Sequence, residues 1–266
     1  MEASPILAYF GHHRCGTQWT ASIVEDVCSA AGLTAVRHDN SNRFQGDILS
    51  YRQKNPFDFW CYINADYRFV RGVDVRGFHV VRDPRDVIVS AYFSHLTSHP
   101  VRDRWPQLRD HRNLLQSLSK DEGILREMQF SAPTLYAMLF WNPLTPNVRE
   151  IRFEDLIQNS EDKFCKIFAE LGLVPSRVSE TVIREIVGLH AFQCMSGGRQ
   201  RGEEDTAHHF RKGVPGDWRN HFKPSHIDHF KKLFNPLLIK LGYEANESWT
   251  NEVSEAQDCQ HSLLPL

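Results

Sequence analysis

Apolar and polar positions along the chain predict short strands separated by helices. Residues 6–10 form a continuous apolar run of strand length, and after a polar turn bounded by Gly11 and Gly16, Trp19, Ile23, Val27 and Ala31 recur at helical spacing. Gly32 is a natural helix stop, and residues 33–37 predict a second strand. Residues 39–55 are polar and predict an irregular connection, whereas the aromatic-rich run 57–63 predicts a third strand with Asn64, Ala65 and Asp66 at its carboxyl end. A fourth strand over 77–81 runs straight into Arg82, after which Asp83 is a good N-cap and Pro84 a good first helical residue. Residues 105–141 are helical in pattern, with Leu114, Leu115 and Leu118, then Leu135, Met138 and Leu139, as packing faces. A fifth strand over 148–153 precedes a helix over 161–171 that turns Phe164, Ile167, Phe168 and Leu171 inward and stops at Gly172; a last helix lies near 227–241. This order is that of an α/β fold: one domain over residues 1–246, with a mainly parallel sheet of about five strands flanked by helices, then a polar tail over 247–266.

The turn after the first strand is of phosphate-binding size. Glycines let the backbone approach an anion, and the N–H groups that open a helix favour negative charge. Gly11 and Gly16 have the separation of the nucleoside-triphosphate loop Gly-x4-Gly-Lys-[Ser/Thr], but Thr17 stands at the lysine position and Gln18 at that of the magnesium hydroxyl. The cation has moved to Arg14, inside the turn. Such a loop suits a ligand with fewer phosphates and no metal, although a plain βα turn with two glycines reads the same way. Arg82 makes a second cationic strand tip, with Ser90 two turns into the helix that follows; a local Arg82–Asp86 ion pair is the alternative reading. Residues 197–205 read as a mobile loop that leads into Arg211-Lys212-Gly213, where two cations precede a flexible glycine.

Composition limits the partners. A formal net charge of −2 gives no bulk attraction to nucleic acid or to an anionic membrane, so any anion site must be local. No run reaches the roughly 18 apolar residues of a membrane span, and Met1-Glu2-Ala3-Ser4-Pro5 lacks the regions of a signal peptide, so a cytoplasmic location is expected. The six cysteines are scattered without a Cys-x-x-Cys, which fits reduced thiols. Neither adjacent pair, His12-His13 or His208-His209, makes a zinc pattern, and no metal is expected.

Three separated motifs, in order, resemble those of the cytosolic-type sulfotransferases that use 3′-phosphoadenosine 5′-phosphosulfate (PAPS). The family's Tyr-Pro-Lys-Ser-Gly-Thr-Thr-Trp is similar to His12-His13-Arg14-Cys15-Gly16-Thr17-Gln18-Trp19. Its Arg-[Asn/Asp]-Pro-[Lys/Arg]-Asp-x4-Ser resembles Arg82-Asp83-Pro84-Arg85-Asp86 through Ser90, and its Arg-Lys-Gly-x-x-Gly-Asp-Trp-[Lys/Arg]-Asn-His-Phe matches Arg211 to Phe222 at every fixed position. With Phe153-Glu154-Asp155-Leu156 between them, the similarity spans residues 6–243 and implies a P-loop-NTPase-like fold.

The resemblance implies transfer of a sulfuryl group from PAPS to a hydroxyl of a small-molecule, glycan or lipid acceptor, with release of adenosine 3′,5′-bisphosphate (PAP). It implies that Arg14, Cys15, Gly16, Thr17 and Gln18 hold the 5′ end, that Trp19 and Phe192 flank the adenine, and that Arg82, Ser90, Arg211, Lys212 and Gly213 hold the 3′-phosphate. Met195 is a weaker candidate beside Phe192. Arg14 also stands where charge builds on the leaving oxygen, in place of the family's usual Lys. The family's catalytic base is commonly a His at the end of the strand that here reads Tyr62-Ile63-Asn64-Ala65-Asp66-Tyr67, with no histidine. Asp66 is the first candidate for that role, a cap or turn function being the alternative; His95 is the second, and His12 and His13 either reach the site or only shape the turn. Trp60, Tyr67, Phe93, His95, His99 and Trp105 would line an aromatic acceptor pocket. The rival functions are a P-loop kinase or NTPase, which predicts Mg²⁺-dependent ATP binding, and a non-catalytic nucleotide-binding module. Oligomeric state stays open.

Overall fold

The computed structural model describes residues 4–103 and 105–249. In chain order the strands are β1 (Ile6–Phe10), β2 (Ala35–His38), β3 (Phe59–Tyr62), β4 (Val75–Val81) and β5 (Val148–Arg152). The helices are α1 (Thr17–Ala30), α2 (Ile48–Lys54), α3 (Pro84–Phe93), α4 (Gln107–Ser117), α5 (Lys120–Phe130), α6 (Ala132–Phe140), α7 (Phe153–Gln158), α8 (Ser160–Glu170), α9 (Glu180–Leu189), α10 (Phe192–Met195) and α11 (Pro224–Lys240). The described residues fall into two compact units, 4–82 with 136–213 and 83–135 with 214–249.

The first unit contains the whole sheet, parallel throughout in the order β2-β3-β1-β4-β5. Because side chains alternate along a strand, Tyr9, Phe59, Cys61 and Phe78 enter one apolar layer with Trp19, Ile23 and Val27 of α1 and Phe164 and Phe168 of α8. Ala8, Phe10, Trp60 and Tyr62 enter the opposite layer with Phe44, Ile48 and Trp141. Burial on both faces explains why these strands read as continuous apolar runs. Each fully buried aromatic contributes about 1.5–3 kcal/mol. Residues 39–55 are more ordered than expected. A 3₁₀ turn, Ser41–Phe44, and α2 are set by local caps, the Asp47 carboxylate accepting the Leu49 and Ser50 N–H groups at 3.0 Å each, while Phe44 and Ile48 supply the anchors.

The second unit is helical and is built around α3. Asp83 caps α3 by accepting the Arg85 N–H at 2.9 Å, and the Asp86 carboxylate accepts the Gly216 and Trp218 N–H groups at 2.6 and 2.9 Å. Arg85, 2% exposed, is gripped by Asp83 and Glu244 and lies over the rings of Trp218 and Trp249. Trp249 is therefore part of this packing, although the tail is expected from residue 247; residues 250–266 of that tail lie outside the described residues. Among the described residues, no helix is long and apolar enough to cross a membrane.

Candidate active site

The loop between β1 and α1 has the backbone of an anion cradle. Arg14 takes φ +66°, the left-handed region that costs a non-glycine residue about 1–3 kcal/mol and that clusters at ligand sites. Gly16 follows at φ +70°, and a Cβ there would lie 2.4 Å from the ring of Phe153. Gly16 is also the N-cap of α1, and no side chain caps that helix or places a carboxylate in its first turn. Thr17 is buried in that turn. Burial pushes the Cys15 thiol up to about 12, so this residue contributes backbone and bulk rather than a nucleophile. The exposed Gln18 is held from outside, its side-chain oxygen accepting from Arg37 at 2.8 Å. Trp19, 8% exposed, donates its indole N–H to the His190 carbonyl at 2.9 Å and packs edge-on against Phe153 and Phe164.

Arg82 directly follows β4 and donates to the Arg14 carbonyl at 3.0 Å, with its guanidinium 5.2 Å from the centre of the Phe153 ring. Phe153 thus touches the glycine turn, Arg82 and Trp19 at once. Its place directly after β5 was legible, but nothing in the sequence marked it as the shelf on which the loop rests.

The Arg211-Lys212-Gly213 segment is the third piece of the same unit. Its main chain is held by Arg199, whose guanidinium donates to the carbonyls of Phe210 and Arg211 at 2.6 and 2.7 Å and to those of Glu203 and Ser196 at 2.9 and 3.3 Å. Arg201 donates to the Gly213 carbonyl at 2.8 Å, and the N–H groups of Gly202 and Asp205 bond the Lys212 and Arg211 carbonyls. Residues 197–205 are expected as a mobile loop, but Arg199, Arg201, Gly202 and Asp205 lace it to the motif it precedes. Gly213 has φ +71°, and a Cβ there would meet Phe192 at 2.5 Å, so the glycine lets the main chain pass close to that ring. Phe192 has the guanidinium groups of Arg199 and Arg201 each 5.7 Å from its centre. The Arg211 side chain is paired with Glu204. Burial pulls the His209 imidazole down to about 4 and Arg14 adds to that depression, which ties this segment to the first loop.

Both expected proton acceptors are occupied in other ways. Asp66 caps a 3₁₀ turn, Tyr67–Phe69, accepting the Arg68 N–H, and the same carboxylate is bracketed by the Arg68 guanidinium at 2.5–3.0 Å. Arg68 holds its carboxyl below the usual range, the wrong direction for a general base. His95 and Ser90 belong to the second unit. His95, 1% exposed on a single π-helical turn Ser94–Ser98, faces the buried Glu127 at 3.0 Å, and His111 faces the same carboxylate at 2.8 Å. These three bring metal-ligating atoms within 4.8 Å of one another, and both imidazoles and Ser131 point at Glu127. Ser90 is buried in α3. Nor is Trp60 an acceptor-pocket wall: it is fully buried and donates to His38 Nδ1 at 3.1 Å. The sequence gives no sign of a second histidine pair. His12 and His79 meet at 2.8 Å through their Nε2 atoms, and His79 Nδ1 meets Glu150 at 3.1 Å.

The family model for the sulfotransferase domain matches residues 72–242, which include Arg82, Ser90 and Arg211 but not the first loop. Sulfotransferase 2A1 of Homo sapiens is 26% identical over 181 residues, covering 62% of this chain and 57% of its own length. Sulfotransferase 6B1 of Danio rerio is 26% identical over 166 residues, covering 60% of this chain and 50% of its own length. The chain thus spans about half the length of these curated relatives. The crystal structure of mouse sulfotransferase SULT7A1 complexed with PAP superposes with a TM-score of 0.59 at 20% identity, over 88% of this chain and 84% of that one. The five-stranded parallel sheet thus has the sulfotransferase fold, and the family match takes in more than half of the 266 residues: this chain belongs to the sulfotransferase domain family.

Proposed function

We propose that the protein transfers a sulfuryl group from PAPS to an acceptor hydroxyl and releases PAP. The observation that carries this reading is Arg82 bonded to the carbonyl of Arg14, at the foot of a helix N-terminus that no side chain caps. It supports two adjacent anion sites, one for the 5′ end on Arg14 and the opening turn of α1, one for the 3′-phosphate on Arg82 and the 211–213 main chain. Sulfuryl transfer, like phosphoryl transfer, asks for alignment and for neutralisation of the charge that builds on the leaving oxygen. Arg14 stabilises that charge without donating a proton, because guanidinium stays ionised. Trp19 and Phe192 are the proposed adenine flanks, and the acceptor is a small-molecule, glycan or lipid alcohol or phenol. The free thiols of Cys15, Cys28, Cys61, Cys165 and Cys194 support a reducing compartment such as the cytoplasm.

The test is PAP binding in EDTA by titration calorimetry, followed by transfer of ³⁵S label from PAPS to a panel of hydroxyl compounds. Arg82→Ala is expected to weaken PAP binding by about 10- to 100-fold, the worth of hydrogen bonds to a charged group. Equal affinity in that variant would overturn the 3′-phosphate assignment. The occupied state of Asp66 and His95 favours a second reading, a non-catalytic PAPS-binding module, which predicts binding without any labelled product.

A further inference from the structure

Arg199 and Arg201 both stand ahead of the Arg211-Lys212-Gly213 motif, and the two guanidinium groups lie 5.7 Å from the centre of the same ring, that of Phe192. A guanidinium offers five N–H donors, and the two residues use them differently. Arg199 sets its guanidinium against the carbonyls of Ser196, Glu203, Phe210 and Arg211, whereas Arg201 makes one hydrogen bond among the described residues, to the Gly213 carbonyl at 2.8 Å. The neighbouring carboxylates are turned elsewhere. Glu203 accepts the Gln200 N–H at 2.8 Å, Asp205 accepts the Ala207 N–H at 2.9 Å, and Glu204 is paired with Arg211. Arg201 is exposed, so a ligand can reach its other donors, and the desolvation it does undergo pulls its pKa below the ordinary arginine value with no carboxylate to raise it.

The place of that one bond decides what the cation can do. Gly213, at φ +71°, carries its main chain against the Phe192 ring, and its backbone is part of the proposed 3′-phosphate site. A phosphate oxygen on the Gly213 N–H and a guanidinium on the Gly213 carbonyl are each one hydrogen bond from the same residue. A phosphomonoester carries close to two negative charges and three acceptor oxygens, and the planar fork of an arginine matches two of them at once. We infer that Arg201 is a further ligand of the nucleotide, a guanidinium that grips the 3′-phosphate from the Gly213 side and so sets a preference for PAPS over nucleotides that lack this group. This rests on the sulfuryl-transfer reading. Arg199, by contrast, acts through the main chain it holds.

The experiment uses the full chain with PAP and with adenosine 5′-phosphate, which lacks the 3′ group, in the wild type, Arg201→Gln and Arg201→Lys. Calorimetry gives both affinities, a thermal melt checks the fold, and ³¹P NMR follows the 3′-phosphate of bound PAP against pH. Arg201→Gln is expected to weaken PAP binding by about tenfold, the low end for hydrogen bonds to a charged group, and to leave adenosine 5′-phosphate within about twofold. Arg201→Lys keeps the charge and is expected to recover most of the loss. A nearby cation favours the dianion, so the bound 3′-phosphate is expected to titrate at higher pH in Arg201→Gln than in the wild type. Equal losses for the two nucleotides, or a 3′-phosphate titration that is the same in both proteins, overturns the assignment and makes Arg201 a staple on the Gly213 carbonyl. A wild type that binds no PAP overturns the transfer reading and the assignment with it, whereas wild-type binding that Arg201→Gln leaves unchanged overturns the assignment alone.

Discussion

Two clusters in this protein are made of the same parts, two histidines and a glutamate, and differ in where the carboxylate sits. In the first unit the groups form a line, His12 to His79 to Glu150, whose last member is 28% exposed. In the second they form a ring around Glu127, which is fully buried and accepts from His95, His111 and Ser131. Burial alone would push the Glu127 carboxyl up, but the charge of His95 and the hydrogen bonds from His111, His95 and Ser131 overcome it and hold it low. A line with one wet end can exchange protons with water. A fully buried carboxylate holds its charge away from water, and what it gives the molecule is stability.

The largest way to test this contrast is to remove each carboxylate in turn. Glu127→Ala is expected to destabilise by about 3–5 kcal/mol, because two imidazoles and a hydroxyl lose a buried partner, and a thermal melt reads it directly. Glu150→Ala is expected to cost about 1 kcal/mol or less, as for a part-exposed ion pair. Equal losses would erase the distinction. The pH dependence follows from the sign of the Glu127 shift. A carboxyl held low in the folded state adds stability that is fully present above its unfolded pKa of about 4.3 and is lost as pH falls through the folded value. Acid denaturation monitored by circular dichroism is therefore expected to flatten in Glu127→Gln.

Arg199 carries the same idea to the 211–213 segment, where a half-buried group acts through the backbone it holds. Two of its four carbonyl contacts hold Phe210 and Arg211 and the other two Ser196 and Glu203, and Arg199→Ala is expected to weaken PAP binding by about tenfold with a small change in melting temperature. A fall in stability without a fall in affinity would make Arg199 a packing residue instead.

What the sequence disclosed and what it hid divides along similar lines. Strands β1, β3 and β4 were legible because burial on both faces leaves continuous apolar runs, and α3 because Asp83 and Pro84 announce a helix start locally. Arg82 and Arg211 stood out because a cation at a strand tip or before a glycine is a local pattern. The short α2 was missed because two side-chain caps and two anchors leave hardly any periodic signal. His79 and Glu150 were missed for a deeper reason. They are 71 residues apart, and only the register of β4 on β5 makes them neighbours. Asp66 read as a base because a carboxylate at a strand tip has the right address, and the Arg68 that clamps it two residues later looked like one more surface charge.

The smallest effect concerns a carboxylate that has to let go. Arg211 is paired with Glu204, the side chains being 9% and 32% exposed, and a 3′-phosphate that takes the Arg211 guanidinium must displace that partner. An ion pair this close to solvent is worth about 0.2–1 kcal/mol, so Glu204→Gln is expected to tighten PAP binding by at most about fivefold, through faster association or slower release. The sign matters more than the size. If Glu204 instead helps to hold the 199–213 segment in shape, the same variant weakens PAP binding, and Glu204 then belongs with Glu127 among the carboxylates that stay where they are.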